Sequence, residues 1–130
     1  DEKLNSLYDF GKNIGLAFQV VDDILDFTGN DKQLGKPATS DLASGYLTAP
    51  VLYALEENKK LSVLINRELA EKDDLDNALN IIMNSKAIKS SRKLAEDFAM
   101  RSKEAIVWLP DSEYKRALMA LPEFVLGRLY

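Results

Sequence analysis

Three aspartates lie close together in an otherwise apolar stretch: Asp22, Asp23 and Asp26, within the segment QVVDDILD at 19–26. A spacing of i, i+1 and i+4 places their carboxylates on the same side of a helix. Carboxylates buried together without partners are costly, and a divalent cation would relieve their repulsion. Mg²⁺ commonly takes one or two carboxylates, several waters and substrate phosphate oxygens. The pattern therefore predicts a magnesium site that binds a phosphorylated ligand.

The composition narrows the chemistry further. The 130 residues include no cysteine and no histidine, which excludes disulfides, thiolate or imidazole metal sites, Ser-His-Asp triads and cysteine nucleophiles. Any metal must then bind to oxygen ligands, as Mg²⁺, Ca²⁺ and Mn²⁺ do. The net charge of −4 argues against nucleic-acid binding. No apolar run is long enough for a transmembrane helix.

The aspartates belong to a helix with an unusual distribution of side chains. At 100° per residue, six residues fall within an arc of about 100°, and we call them the polar strip: Lys12, Gly15, Gln19, Asp22, Asp23 and Asp26. The rest of the circumference is almost entirely apolar, the reverse of a surface helix. We expect this helix to be buried on most sides, with the strip facing a polar cavity. Gly15 would let a ligand approach the backbone, and Lys36 in the following loop is a cation suited to phosphate.

Other interpretations exist for the charged and aromatic residues. An exposed acidic face is the ordinary explanation of an isolated D-D-x-x-D. A second acidic cluster, Asp73, Asp74 and Asp76, is explained by helix capping and dipole stabilisation. Phe98, Trp108 and Phe124 are expected in the core.

The periodicity predicts an all-α fold. The predicted elements are a helix over 3–28, a polar loop over 29–40, a short helix capped by Ser40 or Asp41 and running through Tyr46, and helices over 51–58, 60–71, 75–83 and 86–109, followed by a last helix. Pro50 suits the first turn of its helix. Asp111 is expected to cap the last helix, and Pro122 to kink or interrupt it near Leu118.

A larger ordered set of motifs carries a family resemblance. The set comprises GLAFQVVDDILDF at 15–27, GKP at 35–37, SDL at 40–42 and GYLTAP at 45–50. It resembles the second aspartate-rich region of trans-isoprenyl (polyprenyl) diphosphate synthases, strongly over residues 11–55. The sequence around GYLTAPVL and the RLY ending are most similar to those of long-chain, solanesyl-type synthases of cyanobacteria and plastids.

The resemblance implies the carboxy-terminal part of the isoprenoid synthase helical bundle. It also implies Mg²⁺-dependent, head-to-tail condensation of an allylic diphosphate with isopentenyl diphosphate, giving a polyprenyl diphosphate. In that chemistry, cations in a dry site stabilise the diphosphate leaving group.

The same resemblance implies a role for each matching residue. Asp22 is the main metal ligand, and Asp23 and Asp26 support the metal site through direct, water-mediated or hydrogen-bond contacts. Gln19 borders the reacting carbons. The remaining substrate-binding residues are Phe18 in the cavity wall and Lys36 on the allylic diphosphate.

Two departures from the family pattern matter. Tyr46 stands where many members carry a second lysine. The first aspartate-rich motif is absent from these 130 residues, so we expect residues 1–130 to be a partial synthase domain that supplies half of a two-sided metal clamp and is inactive by itself.

Several alternatives remain. The chain could be a non-catalytic subunit or truncated product that associates with a complete synthase, a class I terpene cyclase, or a helical bundle without a ligand; the N-S-E or D-T-E motif usual in cyclases is not visible. The resemblance further implies a homodimer or a heteromer with another synthase subunit. It favours the plastid, with mitochondrion or cytoplasm as alternatives. We also expect the isolated chain to expose apolar patches and to associate.

Overall fold

The computed structural model describes residues 1–29 and 39–130, and the described residues form helices joined by turns. The helices are α1 (Glu2–Thr28), α2 (Ser40–Ala43), α3 (Ala49–Glu57), α4 (Lys59–Asn66), α5 (Asp74–Met83), α6 (Ala87–Ala105) and α7 (Glu113–Gly127). The all-α class predicted from periodicity is confirmed. The chain divides into two compact units: residues 1–21 with 93–130, and residues 22–92.

Helix α1 matches its prediction closely. It covers 27 residues, against a predicted range of 3–28. Its start is stabilised by the Asp1 side chain, which accepts a hydrogen bond from the backbone N–H of Lys3 at 2.8 Å. Its end coincides with Gly29, whose N–H still reaches the carbonyl of Leu25 at 2.7 Å.

The first unit packs through small side chains. Ala17 of α1 is buried, as are residues along one face of α6 and just beyond it: Ala95, Ala99, Ser102 and Ile106. Their spacing of three and four residues places them on one face of the helix. Trp108 and Phe124 are exposed, so their predicted core positions are wrong, and Phe98 is only partly buried.

The N-cap of helix α7 lies one residue later than predicted. The Ser112 hydroxyl accepts a hydrogen bond from the N–H of Lys115 at 3.0 Å, the usual arrangement of an N-cap serine. Asp111, the predicted cap, instead pairs with Arg116 at 3.0 Å. Pro122 does not interrupt the helix, which continues through this buried proline to Gly127; a kink near Leu118, the other predicted effect of Pro122, stays a prediction.

The second unit has a conventional apolar core. The buried residues that form it are Phe27, Leu42, Val51, Ala54, Leu61, Leu64, Ala78, Ile82 and Ala87. They come from the end of α1, from α2 to α5 and from the start of α6. Pro50 lies in the first turn of α3, as predicted.

Two elements of this unit are shorter than predicted. Helix α4 ends at Asn66 rather than at residue 71, because Glu68 and Leu69 adopt left-handed backbone conformations with φ of 57° and 54°. Helix α2 ends at Ala43 rather than at Tyr46. Gly45 follows with φ of 81°, a conformation that glycine adopts at little cost.

Candidate functional site

The first unit carries the amino-terminal part of the polar strip. Lys12, Gly15 and Gln19 are exposed, as expected for residues that face a cavity or solvent. The prediction that α1 is buried on most other sides is wrong for Leu16 and Phe18, which are 37% and 48% exposed. The described residues of this unit therefore cover only part of the apolar circumference of α1.

Phe18 has a partner that the sequence did not indicate. The guanidinium carbon of Arg128 lies over the Phe18 ring, 4.8 Å from its centroid. This is the geometry of a cation–π contact, and it holds the end of α7 against α1. The two residues are far apart in the sequence, so no local pattern could have predicted the contact.

Gly15 is open on the side where a side chain would project. A Cβ atom built there meets nothing within 4 Å among the described residues, and the same holds for Gly11 one turn earlier. Packing among the described residues therefore does not require glycine at either position. The open space at Gly15 is compatible with a ligand that lies close to the backbone.

The second unit contains the three aspartates of the strip, and their burial differs. Asp22 is partly exposed, Asp23 is 9% exposed and Asp26 is fully buried. All three take part in interactions within the molecule. Among the three, Asp22 is the carboxylate most accessible to an incoming ligand.

Asp26 holds the start of helix α2. Its Oδ2 atom accepts a hydrogen bond from the backbone N–H of Asp41 at 3.2 Å, and its Oδ1 atom lies 3.5 Å from the Ser40 hydroxyl. The N–H of Thr39 donates to the backbone carbonyl of Asp26 at 2.8 Å. The sequence placed the cap of this helix at Ser40 or Asp41, but Thr39 is the N-cap residue and makes no side-chain capping bond. A carboxylate from α1 supplies an acceptor there instead.

The carboxylates do not form a preformed metal cage. Within residues 1–29 and 39–130, no group of three Asp or Glu side chains is arranged to hold a metal ion. The available donors are nevertheless oxygen atoms, and Asp22 is partly exposed among apolar neighbours. This donor set fits Mg²⁺, which needs only one or two carboxylates when water and phosphate oxygens complete its coordination.

Two further residues of the family pattern are Lys36 and Tyr46. Lys36 lies outside the described residues, as do Gly35 and Pro37. Tyr46, the residue in place of a second family lysine, is 62% exposed in the turn after α2.

The second acidic cluster has a structural role that differs from the predicted cap. Asp73 makes no side-chain capping bond. Asp74 is buried and accepts two hydrogen bonds from Arg67, at 2.8 Å from Nε and 2.5 Å from Nη2. These bonds hold the pKa of Asp74 below its ordinary value of 3.8 and raise the pKa of Arg67. The pair ties the end of α4 to the start of α5.

In the part of the chain that the structure describes, no helix is long and apolar enough to span a membrane.

Comparison with known proteins extends these observations to a family. The sequence profile of the polyprenyl synthetase family matches residues 1–82. A prenyl transferase of Cyanophora paradoxa is 48% identical over 126 residues, which cover 97% of this chain and 39% of that protein. The chloroplastic solanesyl diphosphate synthase 2 of Arabidopsis thaliana is 46% identical over 123 residues, covering 95% of this chain and 30% of that protein. The chain thus spans well under half the length of these relatives. Cyanobacterial and mitochondrial proteins also match.

The fold agrees with that comparison. A polyprenyl synthase from Caulobacter crescentus, solved in complex with calcium and isoprenyl diphosphate, superposes with a TM-score of 0.84 and 33% identity. The superposition covers 97% of this chain and 40% of that one. The fold is therefore that of the isoprenoid synthase helical bundle. With the profile match over residues 1–82 and relatives along nearly its whole length, the chain belongs to the polyprenyl synthetase family.

Proposed function

We propose that the complete protein containing this chain is a Mg²⁺-dependent prenyltransferase. It would condense an allylic diphosphate with isopentenyl diphosphate, head to tail, to give a polyprenyl diphosphate. The relatives are named prenyl transferase, solanesyl diphosphate synthase and polyprenyl synthase, which supports the reaction class. The observation that carries the proposal is the D-D-x-x-D on α1, where one partly exposed carboxylate lies beside two buried ones.

The residues have distinct proposed roles at this site. Asp22 would be the main metal ligand, because it is the most accessible carboxylate of the strip. Asp23 and Asp26 would support the metal site from their buried positions. When bound, Mg²⁺ would offset the charge of the diphosphate and so make it a better leaving group.

The substrate contacts are proposed from the family resemblance. Gln19 is exposed on the polar strip, where it can border the reacting carbons. Phe18 is partly exposed and has Arg128 over its ring, and we propose that it lies in the wall of the substrate cavity. Lys36 is proposed as the cation on the allylic diphosphate from its place in the sequence.

We propose that residues 1–130 are the carboxy-terminal part of the synthase and supply its second aspartate-rich motif. The chain spans 39% of its Cyanophora relative, and a second D-D-x-x-D does not occur in its sequence. The facing half of the metal clamp would therefore come from elsewhere in the complete protein. A homodimer, or a heteromer with another synthase subunit, is proposed as the working assembly. The chloroplastic relatives support the plastid as its location, although mitochondrial relatives match as well.

The decisive experiment uses the complete synthase and the variant Asp22→Asn. We expect the variant to lose condensation activity by on the order of 100-fold and to need more Mg²⁺ for half-maximal rate, because a neutral amide binds Mg²⁺ more weakly than a carboxylate. Product formation would be followed with labelled isopentenyl diphosphate over a Mg²⁺ titration.

The matched control is Asp9→Asn, on the same helix but outside the polar strip, where activity should be unchanged. If Asp22→Asn retains full activity and the wild-type Mg²⁺ requirement, Asp22 is not the ligand. If the wild-type complete protein does not condense the two diphosphates, the proposed function is wrong.

A second candidate is a non-catalytic subunit that associates with a complete synthase. The partial length and the exposed apolar side chains favour it. It predicts co-purification with an active synthase and no turnover by the subunit alone. Failure to co-purify would count against it.

A further inference from the structure

We infer that Asp26 is a positioning residue, which acts by holding residues 39–41 against α1, rather than by binding the metal directly. The inference rests on the proposed prenyltransferase function and refines the role of its third aspartate. Its basis is the set of contacts that the Asp26 carboxylate and carbonyl make with residues 39–41.

The geometry of the Asp26 carboxylate favours a positioning role. Both oxygens point towards the start of α2: Oδ2 accepts from the Asp41 N–H at 3.2 Å, and Oδ1 is 3.5 Å from the Ser40 hydroxyl. An oxygen that accepts a backbone N–H has one lone-pair direction already in use. Asp22, four residues earlier, is partly exposed, whereas Asp26 is fully buried. Access to a hydrated ion therefore favours Asp22 over Asp26.

Asp26 also contacts the segment 39–41 through its main chain. Besides the carboxylate contacts, the backbone carbonyl of Asp26 accepts from the Thr39 N–H at 2.8 Å. Side chain and main chain of one residue thus hold three consecutive residues, 39–41. These contacts resist displacement of residues 39–41 from α1.

The contacts of Asp26 compensate for an unfavourable backbone at the start of α2. Thr39 has a left-handed backbone with φ of 62°, and it gives α2 no side-chain cap. A threonine in this conformation is unfavourable unless its surroundings hold it there. Asp26 supplies the missing acceptor for the Asp41 amide and so fixes the position of the start of α2. Lys36, the proposed diphosphate contact, lies three residues before Thr39 in the sequence.

The test compares Asp26→Ala, Asp26→Asn and Asp22→Ala in the complete synthase. For Asp26→Ala we expect the KM for the allylic diphosphate to rise about tenfold at saturating Mg²⁺, the size of effect that follows loss of a hydrogen bond to a charged group. The Mg²⁺ concentration for half-maximal rate should stay within about twofold of wild type. Asp26→Asn should be intermediate, because its amide oxygen can still accept from the Asp41 N–H.

Hydrogen exchange of the amides at 39–45 gives a readout that does not depend on activity. Exchange should be faster in Asp26→Ala than in wild type and unchanged in Asp22→Ala. Thus, if the protein turned out not to be a prenyltransferase, exchange would still test the tie. A Mg²⁺ requirement raised as much in the Asp26 variants as in Asp22→Ala would overturn the inference, as would unchanged exchange at 39–45. Asp26→Asn keeps both readouts accessible if Asp26→Ala does not fold.

Discussion

At the scale of single residues, two glycines of α1 differ in their expected contribution to function. Gly11 and Gly15 are both exposed and both leave open space where a Cβ would lie. As far as folding is concerned they are equivalent, and alanine should suit either position better than glycine, since glycine costs a helix interior about 1 kcal/mol relative to alanine. Gly15 differs because it belongs to the polar strip, one turn before Gln19.

This difference gives a prediction for Gly15→Ala with Gly11→Ala as its control. Both variants should raise the free energy of unfolding by up to about 1 kcal/mol. Gly15→Ala alone should lower the condensation rate of the complete synthase, on the order of tenfold or more, because the new methyl group would displace a ligand close to the backbone. Equal activity of the two variants would show that no ligand approaches Gly15. Thermal unfolding and steady-state kinetics measure the two effects.

At the scale of elements, side chains from one helix often stabilise the end of another. Asp26 of α1 holds the start of α2, and Arg67 at the end of α4 holds Asp74 at the start of α5. The second pair spans a turn in which Glu68, Leu69 and Asp73 all have positive φ. The ion pair therefore stabilises a connection whose backbone is unfavourable by itself.

The Arg67–Asp74 pair predicts a pH dependence of stability. The pKa of Asp74 is lower in the folded protein than its ordinary value of 3.8, so folding favours the ionised form. The resulting stabilisation is complete above pH 3.8 and is lost as the pH falls from there through the lowered pKa. Asp74→Asn should reduce stability at neutral pH and flatten the decline of stability in acid.

Acid unfolding of the chain, followed by far-ultraviolet circular dichroism, measures that effect. Asp76→Asn is the control variant. It also removes one carboxylate charge, at an exposed position two residues after Asp74 in the same helix. We expect its acid transition to match wild type. If Asp74→Asn and Asp76→Asn unfold alike at every pH, the ion pair does not contribute to the pH dependence.

At the scale of the whole molecule, many large apolar side chains of the first unit are exposed. They include Leu4, Tyr8, Val107, Tyr114 and Phe124, the last at 75%. Exposed apolar side chains in this number are typical of surfaces that other protein segments cover. Since the chain spans 39% of its Cyanophora relative, the rest of a complete synthase is available to cover them.

We therefore expect the isolated 130-residue chain to self-associate. Sedimentation velocity should show an average mass that rises with concentration. Phe124→Ser should weaken this association without loss of helicity, because Phe124 is exposed and its removal leaves no cavity. A chain that stays monomeric at all concentrations and unfolds in one sharp two-state transition would contradict the expectation.

The sequence by itself determined the helical class, the extent of α1 and the spacing of its aspartates. These features depend on the local period of 3.6 residues, on Gly29 as a helix end and on residue types, all of which are read within a short window. The family resemblance is of the same kind, since its motifs are contiguous. Lys36 and the metal role of Asp22 stay predictions.

Only the tertiary structure decided which partner each polar side chain takes. Asp26 bonds to an amide 15 residues away, Arg128 lies over Phe18, and Asp74 pairs with Arg67 rather than capping its own helix. Ser112 rather than Asp111 caps α7. The physical reason is that burial of the apolar faces brings distant segments together, and the hydrogen bonds then form among the groups that this packing has placed within reach.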